Sequence, residues 1–241
     1  MTAGAGAVVD VRVLPDAVAV AREAAAHIAA LIAAKTAAGG GFSLALSGGR
    51  TPRLLYQCLA EDYRDRIPWA HVNIFWSDER YVPHDEPGSN YLMAKETLLA
   101  HVPVSPARVH PMPTDLVDPD EAARQYERVL PPSCDLVLLG IGSDGHTASL
   151  FPGSPALDER QRRVAVECAA PVEPRVRLTL TFQALNQAGN AFFVVTGADK
   201  APALRRILRD SPDYRQCPAV GVRPLGGTVI WWLDTAAASA L

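Results

Sequence analysis

The sequence lacks a strong charge of either sign: 23 Lys and Arg stand against 26 Asp and Glu in 241 residues, a formal −3. Near balance argues against nucleic acid or an anionic membrane as the main partner, because either favours a basic face. A local basic pocket stays compatible with it, since net charge averages over the chain. Cysteine is scarce. Cys58, Cys134, Cys168 and Cys217 are widely spaced with no C-x-x-C among them, which fits reduced thiols in the cytoplasm better than a disulfide frame or a zinc site. The opening MTAGAGAVVDVRV lacks the basic segment and apolar run of a secretory signal. No run approaches the roughly 18 uninterrupted apolar residues of a membrane-spanning helix. The most apolar segment, around Ala24 to Ala34, contains His27 and reads as a helix of a soluble protein. Neither H-E-x-x-H, nor a His/Cys cluster, nor a G-x-S-x-G elbow is present, so a catalytic metal and a serine nucleophile have no sequence support.

What is there is an alternation. Phe42 to Ser47, Val72 to Ser77, Asp135 to Gly140 and Ala191 to Thr196 are continuous apolar runs of strand length, as expected of strands buried on both faces. Between them lie helical patterns at Ala17 to Ala37, Pro52 to Glu61 and Glu121 to Leu130. Val164 to Glu167 and Arg177 to Thr181 are shorter and suit antiparallel or edge strands, and Val229 to Leu233 suits a last strand before an Ala-rich tail. The fold class expected is α/β: a mainly parallel, Rossmann-like sheet with helices on both faces and a few additional short or antiparallel strands. With no repeat and no long linker, residues 1–241 are expected to form a single domain; the Pro- and Asp-rich stretch Pro103 to Asp120 is short enough to be a connection.

Ligands of open parallel sheets sit beyond the carboxyl ends of the strands. Four polar or glycine-rich segments follow strands here: SGGRTP, SDER, GIGSDGHTAS and TGADKA. In the first, Gly48 and Gly49 allow close backbone approach, and the N–H groups of the helix that follows favour an anion. It is neither a Walker A loop nor a G-x-G-x-x-G turn. In the second, Asp78, Glu79 and Arg80 offer carboxylates and a guanidinium at a strand end; a salt-bridged surface turn is the plain alternative. Ser89 and Asn90, further on, suit a helix cap. The third is the most specific. Three glycines in six residues describe a tight loop that presents Asp144 and His146 before a short helix, and an imidazole, titrating at roughly pH 6.5, suits a base that deprotonates water. In the fourth, Lys200 opens a helix, where the dipole disfavours a cation, so an anion site nearby would explain it.

Taken in order, SGGRTP, SDERYVP, GSNY, LLGIGSDGHTASLFPG, VRLTLT and TGADKA make the chain resemble the 6-phosphogluconolactonases, over nearly its whole length from the first helix onward. GIGSDGHTASLFPG is the discriminating element. Glucosamine-6-phosphate deaminases share the wider fold but resemble D-E-Y and G-D-G-H-I-A-F-N-E at these places. Here Arg80 replaces that Tyr, and Ser149-Leu150-Phe151 replaces Phe-Asn-Glu, so the deaminase's glutamate is missing. The resemblance implies hydrolysis of 6-phospho-D-glucono-1,5-lactone, a phosphorylated sugar lactone, to 6-phospho-D-gluconate in the oxidative pentose phosphate pathway, with no metal and no cofactor. It implies His146 as the base and Asp78 as a catalytic or substrate-holding carboxylate. Gly48, Gly49, Thr51, Arg80 and Lys200 are implied in substrate binding, with Arg177 as a further candidate. Asp144 either orients the imidazole or caps the turn that follows. Arg50 departs from the expected S-G-G-S-T-P; it either adds charge to the phosphate site or points to solvent. The competing readings are a sugar-phosphate isomerase or deaminase on the same architecture and a non-catalytic sugar-phosphate sensor. Oligomeric state has no sequence signature here.

Overall fold

Apolar runs too short for helices become the strands of a parallel sheet in the computed structural model, which describes residues 8–210 and 212–241. The first seven residues, and with them most of the segment read for a secretory signal, lie outside the described residues. In chain order the elements are β1 (Val8–Leu14), α1 (Ala17–Ala37), β2 (Phe42–Leu46), α2 (Arg50–Asp62), β3 (Val72–Trp76), β4 (Asp78–Arg80) and α3 (Asn90–Ala94). They continue with α4 (Pro119–Val129), β5 (Leu136–Leu139), β6 (Val164–Glu167), β7 (Arg177–Leu180), α5 (Phe182–Gln187), β8 (Asn190–Val195), α6 (Ala201–Arg205) and β9 (Thr228–Asp234). The four runs expected as doubly buried strands are β2, β3, β5 and β8, and every residue of β2 and β5 is buried.

Six strands pair in the order β1-β9-β8-β5-β2-β3, and all the pairings are parallel. From β2 the chain steps outward to β3 and then returns to β5, β8 and β9 on the other side. The direction of winding therefore reverses between β2 and β5, which is where open parallel sheets leave a crevice at their carboxyl ends. The segments after those two strands are SGGRTP and GIGSDGHTAS.

The two short runs expected as antiparallel or edge strands form a second sheet, β4-β7-β6, that is antiparallel. Its third strand, β4, takes the place of the salt-bridged turn that is the plain alternative at Asp78 to Arg80; three charged residues carry no apolar signal, and the strand exists only through its pairing with β7. β1 has no counterpart among the runs expected as strands: Asp10 and Arg12 interrupt its apolar pattern, and it is the edge strand beside β9.

α1 is long and apolar enough to cross a membrane by length and composition alone. In the fold it is a core helix: Val20, Ala21, Ala24, Ala25, Ile28 and Ile32 recur at helical spacing and are wholly buried, while His27 packs edge-on against Phe192 and Trp232. Asp16 caps its start by accepting from the Ala19 N–H.

Candidate active site

Of the residues singled out in the sequence, Gly48, Gly49, Asp78, Arg80, His146 and Arg177 line one cavity of about 130 Å³ at the β2/β5 crevice. Ser47, Asn90, Gly140, Ile141 and Ala148 complete its wall.

His146 arrives on a loop that its glycines make possible. Gly142 donates to the His146 carbonyl and accepts from the Gly145 N–H, closing the chain on itself. A side chain at Gly142 would put a Cβ 2.1 Å from His146 Nδ1 and 2.5 Å from Asp144 Oδ1, so only glycine leaves room for that pair. Gly145 has φ +87°, and a Cβ there would meet Cys217 Sγ at 2.2 Å. The run Gly140 to Gly145 has the spacing G-x-G-x-x-G. It enters no helix, however, so it lacks the helix N-terminus that such a turn needs to hold a dinucleotide. The short helix expected directly after His146 is likewise absent; the chain turns back through a Thr147–Leu150 bridge instead.

Asp144 contacts both the backbone and the ring of His146. Its Oδ1 accepts from the His146 backbone N–H at 3.0 Å and lies 2.6 Å from His146 Nδ1. Burial alone would push the Asp144 carboxyl up, but these contacts outweigh it and hold the group below the ordinary carboxylate value. An ionised carboxylate only accepts, so Nδ1 carries a proton, and in the neutral imidazole that tautomer makes Nε2 the acceptor. Nε2 makes no hydrogen bond among the described residues. Phe151 steadies the ring from the side, with centroids 4.4 Å apart, and lies between His146 and Arg177. Arg206 donates to the Asp144 carbonyl at 3.2 Å and to that of Gln216, tying the loop to the chain behind it.

The small sheet brings charges together. Its register sets Arg80 directly opposite Arg177 and Asp78 opposite Thr179, so all four share the face toward the cavity. Like charges directly opposite destabilise a strand pair, yet both arginines are partly or wholly buried. Arg177 donates to the Pro174 and Val172 carbonyls, and Arg80 donates to Gly88. Burial, opposed by Asp78 and reinforced by Arg80, pulls the Arg177 guanidinium below its ordinary value. Glu79, on the opposite face, leaves the cavity. It accepts from the Arg80, Asn90 and Tyr91 N–H groups and from Ser89 Oγ, which anchors the start of α3; burial pushes its carboxyl up against the pull of those bonds.

At the third wall, Gly49 ends in a left-handed φ of +111° and α2 begins with no side-chain cap and no acidic residue in its first turn. Gly48 is glycine for a further reason: a Cβ there would lie 2.0 Å from Asn90 Oδ1. Ser89 caps α3 as expected, but Asn90 does something the sequence did not reveal. It is buried in the cavity wall, and its Nδ2 donates to the Asp78 carbonyl at 2.9 Å. Among the described residues six buried side-chain polar atoms have no partner, and three of them, Ser47 Oγ, Arg80 Nε and Asn90 Oδ1, belong to this wall.

Three expected residues stand outside the cavity wall: Asp144, which backs His146, and Thr51 and Lys200. Thr51 bonds Thr196 across to the end of β8 and lines a neighbouring hollow with the exposed Arg50. Lys200, just before α6, is 3.6 Å from Asp199.

A family described as glucosamine-6-phosphate isomerases/6-phosphogluconolactonase matches residues 15–231. The 6-phosphogluconolactonase of Synechocystis sp. is 42% identical over 209 residues, covering 83% of this chain and 84% of its own. That of Nostoc sp. is 39% identical over 212 residues, covering 84% and 85%. The solved structure of 6-phosphogluconolactonase from Trypanosoma brucei superposes with a TM-score of 0.84 at 32% identity, covering 96% of this chain and 98% of that one.

Proposed function

Because the chain belongs to the glucosamine-6-phosphate isomerase/6-phosphogluconolactonase family, we propose that it opens 6-phospho-D-glucono-1,5-lactone to 6-phospho-D-gluconate with His146 as general base. The observation that carries the chemistry is His146 in the cavity wall, with Asp144 against its Nδ1 and no hydrogen bond to its Nε2 among the described residues. His146 Nε2 takes a proton from water as the oxygen attacks C1 of the lactone. The tetrahedral intermediate collapses with cleavage of the bond from C1 to the ring oxygen, and the imidazolium returns its proton to that oxygen. General-base help of this kind is worth about 10²–10⁴ in rate.

The substrate presents two anionic demands, a permanent phosphate and a transient oxyanion at C1. Two positive elements face them: the Arg80–Arg177 pair, whose repulsion an anion relieves, and the uncapped start of α2 at Gly48 and Gly49. Asp78 holds a substrate hydroxyl or the attacking water. The partnerless polar atoms of Ser47, Arg80 and Asn90 suit a site that takes a hydroxyl-rich ligand. Thr51 and Lys200 contribute from the rim beside β8. The reaction as written uses no metal or other cofactor, and we place the protein, as one soluble domain, in the cytoplasm.

The deciding experiment is a coupled assay that reduces NADP⁺ with 6-phosphogluconate dehydrogenase, run on freshly made lactone and corrected for spontaneous opening. Acceleration above the spontaneous rate supports the reading. Release of ammonia from glucosamine 6-phosphate, or lactone binding without turnover, overturns it.

A further inference from the structure

Ser149 lies three residues beyond His146 and is wholly buried, yet its hydroxyl does not face the cavity. It donates to Asp78 Oδ2 at 2.8 Å, across 71 residues of sequence. The acceptor is a carboxylate, so the proton is supplied by the serine and Ser149 Oγ is committed to that contact. The Ser149 backbone N–H donates to Thr179 Oγ1 at 3.1 Å, and Thr179 is the residue directly opposite Asp78 in the small sheet. The base-bearing loop is thus bolted at both Ser149 donors to one cross-strand pair.

The backbone bends to allow this. Ala148, between His146 and Ser149, has φ +48°, and among the described residues it is the one non-glycine with a positive φ. A left-handed alanine is disfavoured and persists where the surroundings over-determine it. The bend leaves His146 and Ala148 in the cavity wall while Ser149 passes beneath Asp78. With Oδ2 taken, Asp78 Oδ1 makes no hydrogen bond among the described residues, and Asp78 lines the cavity.

We propose that Ser149 is a positioning residue for lactone opening: its hydrogen bond fixes the Asp78 carboxylate, with Oδ1 toward the substrate, at a set offset from the His146 imidazole. The proposal rests on the lactonase reading above and acts through Asp78. Asp78 aligns the reacting water or a ring hydroxyl, and that alignment is what the clamp supplies to the transition state.

The test compares wild type with Ser149→Ala, and Ser149→Thr with Ser149→Val, in the corrected lactone assay, each with a thermal melt. Thr and Val share a shape, so their difference reports the hydroxyl alone. Ser149→Ala is expected to lower kcat by roughly 10- to 100-fold with KM within about threefold, in a protein that still melts cooperatively. Ser149→Thr is expected to exceed Ser149→Val in kcat by about tenfold or more. Ser149→Ala at the wild-type kcat, a loss confined to KM, or equal Thr and Val variants would each overturn the proposal. Failure of the parent reading is separable, because it shows as a wild-type protein that does not accelerate lactone opening at all.

Discussion

Gly142→Ala is a one-carbon perturbation aimed at the Asp144–His146 pair from behind. The added methyl would lie 2.1 Å from His146 Nδ1, 2.2 Å from His146 Cε1 and 2.5 Å from Asp144 Oδ1. Ordinary contact begins at 3.4 Å, so the imidazole must retreat by roughly 1.3 Å or swing away from Asp144. Gly142 is not in the left-handed region, so alanine meets no backbone penalty of its own, and the cost falls on the side chains. Overpacking of this kind costs about 1–3 kcal/mol of stability, which a chain of this size tolerates. Misplacing a reacting group by about 1 Å costs on the order of 10²-fold in rate. The variant is therefore expected to fold, to melt a few degrees lower, and to lose about 100-fold in kcat/KM for the lactone. The assay is the coupled one, with melting followed by circular dichroism. A folded Gly142→Ala protein within threefold of wild type would refute the geometry assigned to the pair.

Four further outcomes are expected. Asp144→Asn, which keeps an acceptor but removes the charge that supports an imidazolium, should lower kcat by roughly 10- to 100-fold; an unchanged rate would reduce Asp144 to a turn cap. Its contacts hold the Asp144 carboxyl below the ordinary value, so ionised Asp144 stabilises the fold above the unfolded value of about 4, and that contribution is lost as pH falls through the lowered folded value. The difference in melting temperature between wild type and Asp144→Asn should accordingly be full at neutral pH and close in acid; a constant difference would contradict the assignment. Arg177→Met should lower kcat/KM by about 10- to 100-fold and also lower the melting temperature, since the hydrogen bonds lost to the Pro174 and Val172 carbonyls are only partly offset by relieved repulsion from Arg80; an unchanged kcat/KM would remove Arg177 from the site. Dialysis against a chelator should leave turnover intact; loss restored by a single divalent ion would show that a metal takes part.

The doubly buried strands β2, β3, β5 and β8 were legible because burial on both faces demands an unbroken apolar run. β4 was not, because Asp78, Glu79 and Arg80 form a strand only against β7, and pairing between distant segments leaves no local mark. That one strand decides much of the site. It turns Glu79 away to anchor α3 and sets Arg80 against Arg177, a juxtaposition that neither SDER nor VRLTLT contains alone. The glycine-framed histidine was legible for the opposite reason: its constraint is local, written in Gly142 and Gly145. Asn90 and Ser149 were hidden behind plainer roles, a helix cap and a family signature, because their partners Gly48 and Asp78 lie far off in sequence.

The central claim is that the His146 imidazole is the base for lactone opening, and His146→Ala in the coupled assay tests it most directly. A folded protein whose kcat/KM is lower by about 10²–10⁴-fold is expected. A folded His146→Ala protein that opens 6-phospho-D-glucono-1,5-lactone at the wild-type rate would contradict it.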